Sequence, residues 1–390
     1  MAATETLTLN MGPQHPSTHG VLRLVLELDG ETVVKTVPHI GYLHTGMEKT
    51  MENEMYQQAI TITDRMDYLA AMSNNLAYCL AVEKLLEIEI PPRGQFIRVM
   101  MAELQRIASH LVWLGTQALD LGAMSVFLYC FREREVIMNL FEQICGARLT
   151  YSYIRIGGVA MDMPLGYEDE VARFLSIFPS RIDEYEALLT ENEIWRDRTI
   201  GVGIMDAETA IKWGITGPSL RGAGVNYDVR KVNPYCGYEN FEFDVPLGAR
   251  GDVYDRYRVR VAEMRQSVRI LNQVAERMPD GPANSSDGKI VLPPKERVLS
   301  DMEALIHHFI LVTRGFPVPR GEAYASIESP KGELGFYVVA DGSEKPYRVR
   351  VRPPSFYNLQ IIPAIIEGGM VADVVAIIGS QDIVLGEIDR

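Results

Sequence analysis

From Glu48 to Ile90 the chain contains neither proline nor glycine. So long a run without helix breakers predicts one long helix or two abutting ones. Met55, Ile60, Met66, Leu69, Leu80, Val82 and Leu86 fall among polar residues in it without the alternation of a strand. Pro91-Pro92-Arg93-Gly94 ends the run. The same reading predicts further helices over 95–121, 127–145, 167–192, 206–212, 252–277 and 302–313.

Both ends of the chain read as β-structure. Leu22, Leu24, Leu26 and Leu28 alternate with polar or smaller residues before Asp29-Gly30, and an apolar 33–37 stretch follows. Period-two apolarity around Asp-Gly predicts a hairpin, with its first strand starting at His19-Gly20. A second hairpin is expected where 333–340 and 346–352 flank Asp341-Gly342. The apolar 370–379 segment fits a helix or a buried strand. Residues 214–251 read as loop-rich, and 279–294, dense in Pro, Gly, Asn and Ser, as a linker. The expected fold is α+β: a central helical bundle with small β-elements from both ends. It divides into an N-terminal element over 1–46, a helical core over 47–313 and a C-terminal segment over 314–390.

A net charge of −14 disfavours nucleic acid as a partner. No apolar run reaches the roughly 18–20 residues of a membrane span. The opening MAATETLTLN has neither a signal-peptide pattern nor an Arg-rich transit pattern, so a bacterial cytoplasmic location is expected. The four cysteines, Cys79, Cys130, Cys145 and Cys236, form no C-x-x-C pair, which argues against a metal or iron–sulfur site made by this chain alone. There is no P-loop, no G-x-G-x-x-G and no H-E-x-x-H, so no NAD site is expected here. His39, His44 and His110 read as structural or interfacial, and the adjacent His307 and His308 would point about 100° apart on a helix, which argues against joint metal binding.

The remaining feature is Gly12-Pro13-Gln14-His15-Pro16-Ser17-Thr18-His19-Gly20. Two prolines restrict this loop and two glycines free its ends. It reads either as a rigid turn with two hydrogen-bonded histidines or as a loop built to hold a ligand. The run GPQHPSTHGVLRL resembles the 49-kDa (D) subunit family of the proton-pumping NADH–quinone oxidoreductase, respiratory complex I. The resemblance continues through HIGYLHTGMEK, DRMDYLAAM, ELQRIASHL, FREREV, RIGGV, GDVYDRY, EMRQS, ALIHHF, SPKGELG and ADVVAIIGSQDIVLGEIDR.

That resemblance implies a fold like the large subunit of nickel–iron hydrogenases. It implies that His19 and Tyr68 bind a quinone headgroup, that Asp120 pairs with His19, and that His15 lies in the site. Asp67, Ala70, Val384 and Glu387 stand where hydrogenases carry cysteine ligands. Without thiolates no nickel site is expected, and Val384 becomes a pocket wall. The resemblance further implies electrons from a [4Fe–4S] cluster in an adjacent subunit and NAD bound elsewhere in the complex. Implied neighbours are the iron–sulfur (B/PSST-like), C/30-kDa-like, I/TYKY-like and membrane H/ND1-like subunits, at the cytoplasmic face of a bacterial membrane.

In chemical terms, Tyr68 and a protonated His19 would donate to the quinone oxygens, with Asp120 raising the histidine pKa. Thr45 and Thr150 replace an arginine and a histidine found in some relatives, so the cluster-tuning roles of those residues are not expected here. Three rival readings share these residues. They are a related membrane complex with a non-NADH donor, a non-catalytic hydrogenase-like scaffold, and a true hydrogenase, which the missing cysteines disfavour.

Overall fold

The computed structural model describes residues 6–390; the first five residues of the expected N-terminal element lie outside the described residues. The α+β expectation holds. The backbone of the molecule is a set of long helices: Ala71–Leu86, Pro92–Asp120, Met124–Cys145, Tyr167–Leu189 and Val253–Glu276. Their apolar faces close over one large core. The hairpin strands Gly321–Ser329 and Gly332–Ala340, with Arg348–Arg352 alongside, pack on the Ala71–Leu86 helix and share that core through Leu334, Phe336 and Val351.

A second core joins the two ends of the chain. Strands Leu7–Met11, Arg23–Asp29 and Thr32–His39 form an antiparallel sheet in that order. Its inner face, Leu22, Leu24, Leu26 and Leu28, packs on Ile362, Ile378, Leu385 and Ile388 of the C-terminal segment. Asp29 pairs with Thr32 across a two-residue turn, as the Asp-Gly signal predicts. The strand starts at Arg23 rather than at His19-Gly20. A 3₁₀ turn, Pro16–Thr18, precedes it, and His19 and Gly20 both take left-handed backbone angles.

The breaker-free run is not one helix. It forms Met47–Met51, Tyr56–Thr63 and Ala71–Leu86, with a turn over 64–70. Side-chain amides do what proline would have done. Asn74 Nδ2 donates to the carbonyls of Thr63 and Asp67 at 3.0 Å each, and Asn75 Nδ2 to Asp64 at 2.8 Å. Asp64 also accepts from the Ser152 hydroxyl and amide. Buried Asn and Asp side chains thus capture backbone groups that a continuous helix would use itself. Tyr68 therefore sits in a turn, not on a helix.

The expected linker over 279–294 is a packed loop. Ala283 is buried, Ser285 N–H donates to Gly157 O, and Asn284 Oδ1 accepts from Val159 N–H. The ambiguous apolar segment is the helix Asp373–Ser380. No helix of the described residues is long and apolar enough to cross a membrane.

Candidate functional site

Three parts of the chain meet between the two cores. The first is the histidine loop, which connects the sheet's edge strand Leu7–Met11 to its central strand. His15 caps the 3₁₀ turn, its Nδ1 accepting from Ser17 N–H at 3.3 Å, and Thr18 Oγ1 donates to His15 O at 2.9 Å. Those bonds fix the loop while the His19 ring stays exposed. The second part is the 64–70 turn, which carries Asp67 and Tyr68. The third is the C-terminal tail over 381–387.

The tail lies tightly on the turn. A Cβ on Gly386 would stand 2.6 Å from Met66 O and 3.5 Å from Tyr68 Cε1, so only glycine fits there. The buried Ser355 orients the tail: its hydroxyl accepts from Val384 N–H, and its amide donates to Glu387 Oε2. Val384 is buried at the N-terminus of the last helix, Leu385–Asp389.

A lysine absent from the sequence expectations sits at the centre. Lys331 occupies the tip of the Gly321–Ser329/Gly332–Ala340 hairpin, yet it is fully buried. Gly217 and Gly332 let that tip come close: a Cβ on Gly217 would be 2.3 Å from Gly332 Cα. Lys331 Nζ lies 3.1 Å from Asp67 Oδ2 and 3.9 Å from Asp382 Oδ2, and donates to Ser109 Oγ at 3.0 Å. Glu387 is close enough to add to the field on this ammonium.

One cation thus faces three buried carboxyl groups. Burial, partly offset by Lys331, pushes Asp382 up to about 6. Burial and the Asp67 charge push Glu387 up to about 8, so it keeps its proton near neutrality. Burial works against the Lys331 ammonium, but Asp382, Asp67 and Glu387 outweigh it and raise its pKa.

The expected rings respond to the same cluster. Burial and the Asp67 charge raise Tyr68, while Lys331 opposes them. Its ring is 37% exposed, and its hydroxyl makes no hydrogen bond among the described residues. Surrounding protein and the Lys331 charge lower His19 to about 4. Its open edge stays hydrated, which limits the depth of that shift but not its direction: the ring is neutral at pH 7. Asp120, the last residue of the Pro92–Asp120 helix, is raised by burial, and the charge opposing that rise is His15, not His19. Among the described residues Asp120 makes no hydrogen bond or ion pair with His19 or with His15.

The Lys331 field reaches both Tyr68 and His19, whereas the charge acting on Asp120 is that of His15. The best-formed apolar cavity, about 320 Å³, is lined by none of these residues. The residues at the hydrogenase ligand positions do not suit nickel: Asp67, Val384 and Glu387 offer no thiolate, and a lysine ammonium lies against Asp67. Sequence reasoning missed Lys331 because a Pro-Lys-Gly hairpin tip ordinarily lies in water.

Comparison with known proteins supplies the family. Residues 120–390 match the family described as "Respiratory-chain NADH dehydrogenase, 49 Kd subunit". A D-type NADH-quinone oxidoreductase subunit of Chloroflexus aurantiacus is 62% identical over 99% of this chain and 95% of its own length. The D-type NADH-quinone oxidoreductase subunit of Geobacter sulfurreducens is 58% identical over the full length of both chains. A D-type subunit from a Roseiflexus strain is 61% identical over 99% of this chain and 93% of its own length. The protein belongs to the 49-kDa subunit family of respiratory-chain NADH dehydrogenase, complex I.

Proposed function

We propose that this chain supplies the quinone-headgroup side of the complex I reaction centre, with Tyr68 and His19 as the groups that touch the headgroup. The observation that carries this reading is the unpartnered Tyr68 hydroxyl, set between the glycine-tight tail and a lysine whose field also reaches His19. An iron–sulfur cluster held by a neighbouring subunit supplies the electrons.

Quinone reduction takes two electrons and two protons to give the quinol. Tyr68 O–H donates a hydrogen bond to one headgroup oxygen and a His19 N–H to the other. As the oxygens become anionic, the tyrosine proton transfers. A developing negative charge beside His19 favours the imidazolium, so the ring takes a proton from water and passes it on. Behind Tyr68, Glu387 stays protonated near neutrality and reloads the phenol through the Asp67–Lys331–Asp382 cluster. Asp120, on which the His15 charge acts, registers the change of charge in the loop and couples it to proton translocation.

In this reading the chain, none of whose described helices is long and apolar enough to cross a membrane, sits peripherally on the cytoplasmic face of a bacterial membrane. There it would contact the iron–sulfur (B/PSST-like), C/30-kDa-like, I/TYKY-like and membrane H/ND1-like subunits. The test is a quinone-reductase assay on the assembled complex carrying Tyr68→Phe or His19→Ala. Turnover is expected to fall by about 10²–10⁴ with assembly intact. Unchanged turnover in either variant removes that residue from the reaction.

A further inference from the structure

The tail beside Tyr68 is gripped where it leaves the core. The helix Asp373–Ser380 ends just before Gln381 and Asp382. Three donors from two core helices, Pro92–Asp120 and Val253–Glu276, meet that end. Trp113 Nε1 donates to Gly379 O at 2.8 Å, Arg256 Nε to Ser380 Oγ at 2.9 Å and Arg260 Nη1 to Ser380 O at 2.8 Å. Donors and cations there satisfy carbonyls that the last helical turn leaves open.

Arg260 carries more than that anchor needs. It is fully buried, with its guanidinium 4.5 Å from the centre of the Trp113 ring. Its Nε and Nη2 have no hydrogen-bond partner, and it makes no salt bridge among the described residues. Glu263, one turn further along the same helix, is already engaged by Arg221 and His110. A buried cation with no carboxylate in contact is costly. Two residues beyond Ser380, Asp382 is buried as well, and its Oδ2 accepts no hydrogen bond.

The two groups feel each other's charge. Burial works against the Arg260 cation, and Asp382 is the first group to oppose that, followed by Glu263, while Arg221 and Arg256 add repulsion. His110, on the facing helix, is held neutral by its own burial and adds no charge at pH 7. Burial raises Asp382, Lys331 and then Arg260 oppose the rise, and Asp67 adds to it. Lys331 is the cation near contact with Asp382; Arg260 is the second, acting from the opposite element.

We propose that Arg260 is a positioning residue of the quinone site: it pins the tail at Ser380 and, together with Lys331, holds Asp382 as a carboxylate. The role in catalysis rests on the reading of Tyr68 and His19 given above. An ionised Asp382 can take up a proton moving from Glu387 towards the phenol, and a protonated one cannot.

The test is infrared difference spectroscopy on the intact complex, with Asp382→Asn as the subtraction. It follows the Asp382 carboxyl band against pH with no quinone present. Arg260→Gln removes the charge and keeps an N–H for Ser380 O. It is expected to raise the midpoint of the band by about one pH unit and to move the acid limb of quinone-reductase turnover the same way. Arg260→Lys keeps a cation without the planar fork, and its midpoint should fall between those of the parent and the Gln variant. A purely structural arginine would lower yield or stability in both variants and leave the midpoint where it was; that result overturns the proposal. If the Gln variant does not accumulate, the Lys variant against the parent decides by the same criterion. A moved midpoint with an unmoved turnover profile upholds the link between Arg260 and Asp382 and removes Asp382 from quinone reduction, so the two readings fail separately.

Discussion

Two clusters of buried cations and carboxylates lie in this molecule, set to opposite ends of the titration scale. In one, Arg106, Arg221 and Arg230 interleave with Glu103, Asp228, Glu263 and Glu328. Arg230 lies 3.0 Å from Glu103 and 2.6 Å from Asp228, and Arg221 lies 2.6 Å from Glu263 and 2.8 Å from Glu328. Burial alone would raise these acids, but the guanidinium groups overcome it and hold Glu103 and Glu263 at about 2. Glu328 is the exception, raised by burial and by the neighbouring Asp228 charge. In the other cluster one lysine serves Asp67, Asp382 and Glu387, and two of those acids rise instead. The number of cations per carboxylate decides which outcome prevails. The arginine-rich cluster holds fixed charge and joins elements; the lysine cluster leaves Glu387 protonated near neutrality beside an open tyrosine.

The contrast breaks most decisively if cations are removed from each cluster. Arg230→Met leaves Glu103 and Asp228 ionised and short of a partner, and is expected to cost about 3–5 kcal/mol of stability. Thermal denaturation of the complex and loss of assembled subunit would report it. Lys331→Met should cost less, because acids already poised to protonate can discharge. Quinone-reductase turnover should nevertheless fall by about 10²-fold, since the field on both rings is lost. Equal destabilisation by the two variants would erase the distinction between the clusters.

A smaller effect is read from pH. Glu387 binds its proton more tightly folded, at about 8, than unfolded, at about 4.3. Its contribution is therefore fully present below about pH 4.3 and is lost as pH rises through about 8. Glu103 and Glu263 have the opposite sign: their contribution is present above about pH 4.3 and is lost as pH falls through about 2. Glu387→Gln should thus flatten the stability profile between about pH 4.3 and about 8 and leave the more acid limb alone. A variant profile parallel to the parent across that window would show that the Glu387 proton is not held as described.

The smallest effect sharpens the geometry. Gly386→Ala drives a methyl group against Met66 O and is expected to cost about 1–3 kcal/mol while shifting the tail from Tyr68. The expected signature is a raised KM for quinone with kcat less affected. A change in kcat alone would mean that the tail does not shape the binding surface.

Much of the architecture follows from local pattern. The helices over 92–120, 124–145, 167–189 and 253–276 and the Asp29-Gly30 hairpin were legible because periodicity and turn chemistry act over a few residues. The break at 64–70 was not, since it depends on amides that reach back eleven or fifteen residues from Asn75 to Asp64 and Ile60. The site divides in the same way. Tyr68, His19 and Val384 could be named from motifs, but the partners that set their chemistry lie far along the chain.

What the sequence by itself determined is the set of donors and acceptors, the apolar stripes and the absence of paired cysteines. Those are properties of residues and their near neighbours. Only the tertiary structure decided that Lys331 is buried, that its charge reaches both Tyr68 and His19, and that the Met302–Thr313 stripe looks outward. Burial and electrostatic fields depend on which distant segments close over a group, and a linear pattern carries no record of that.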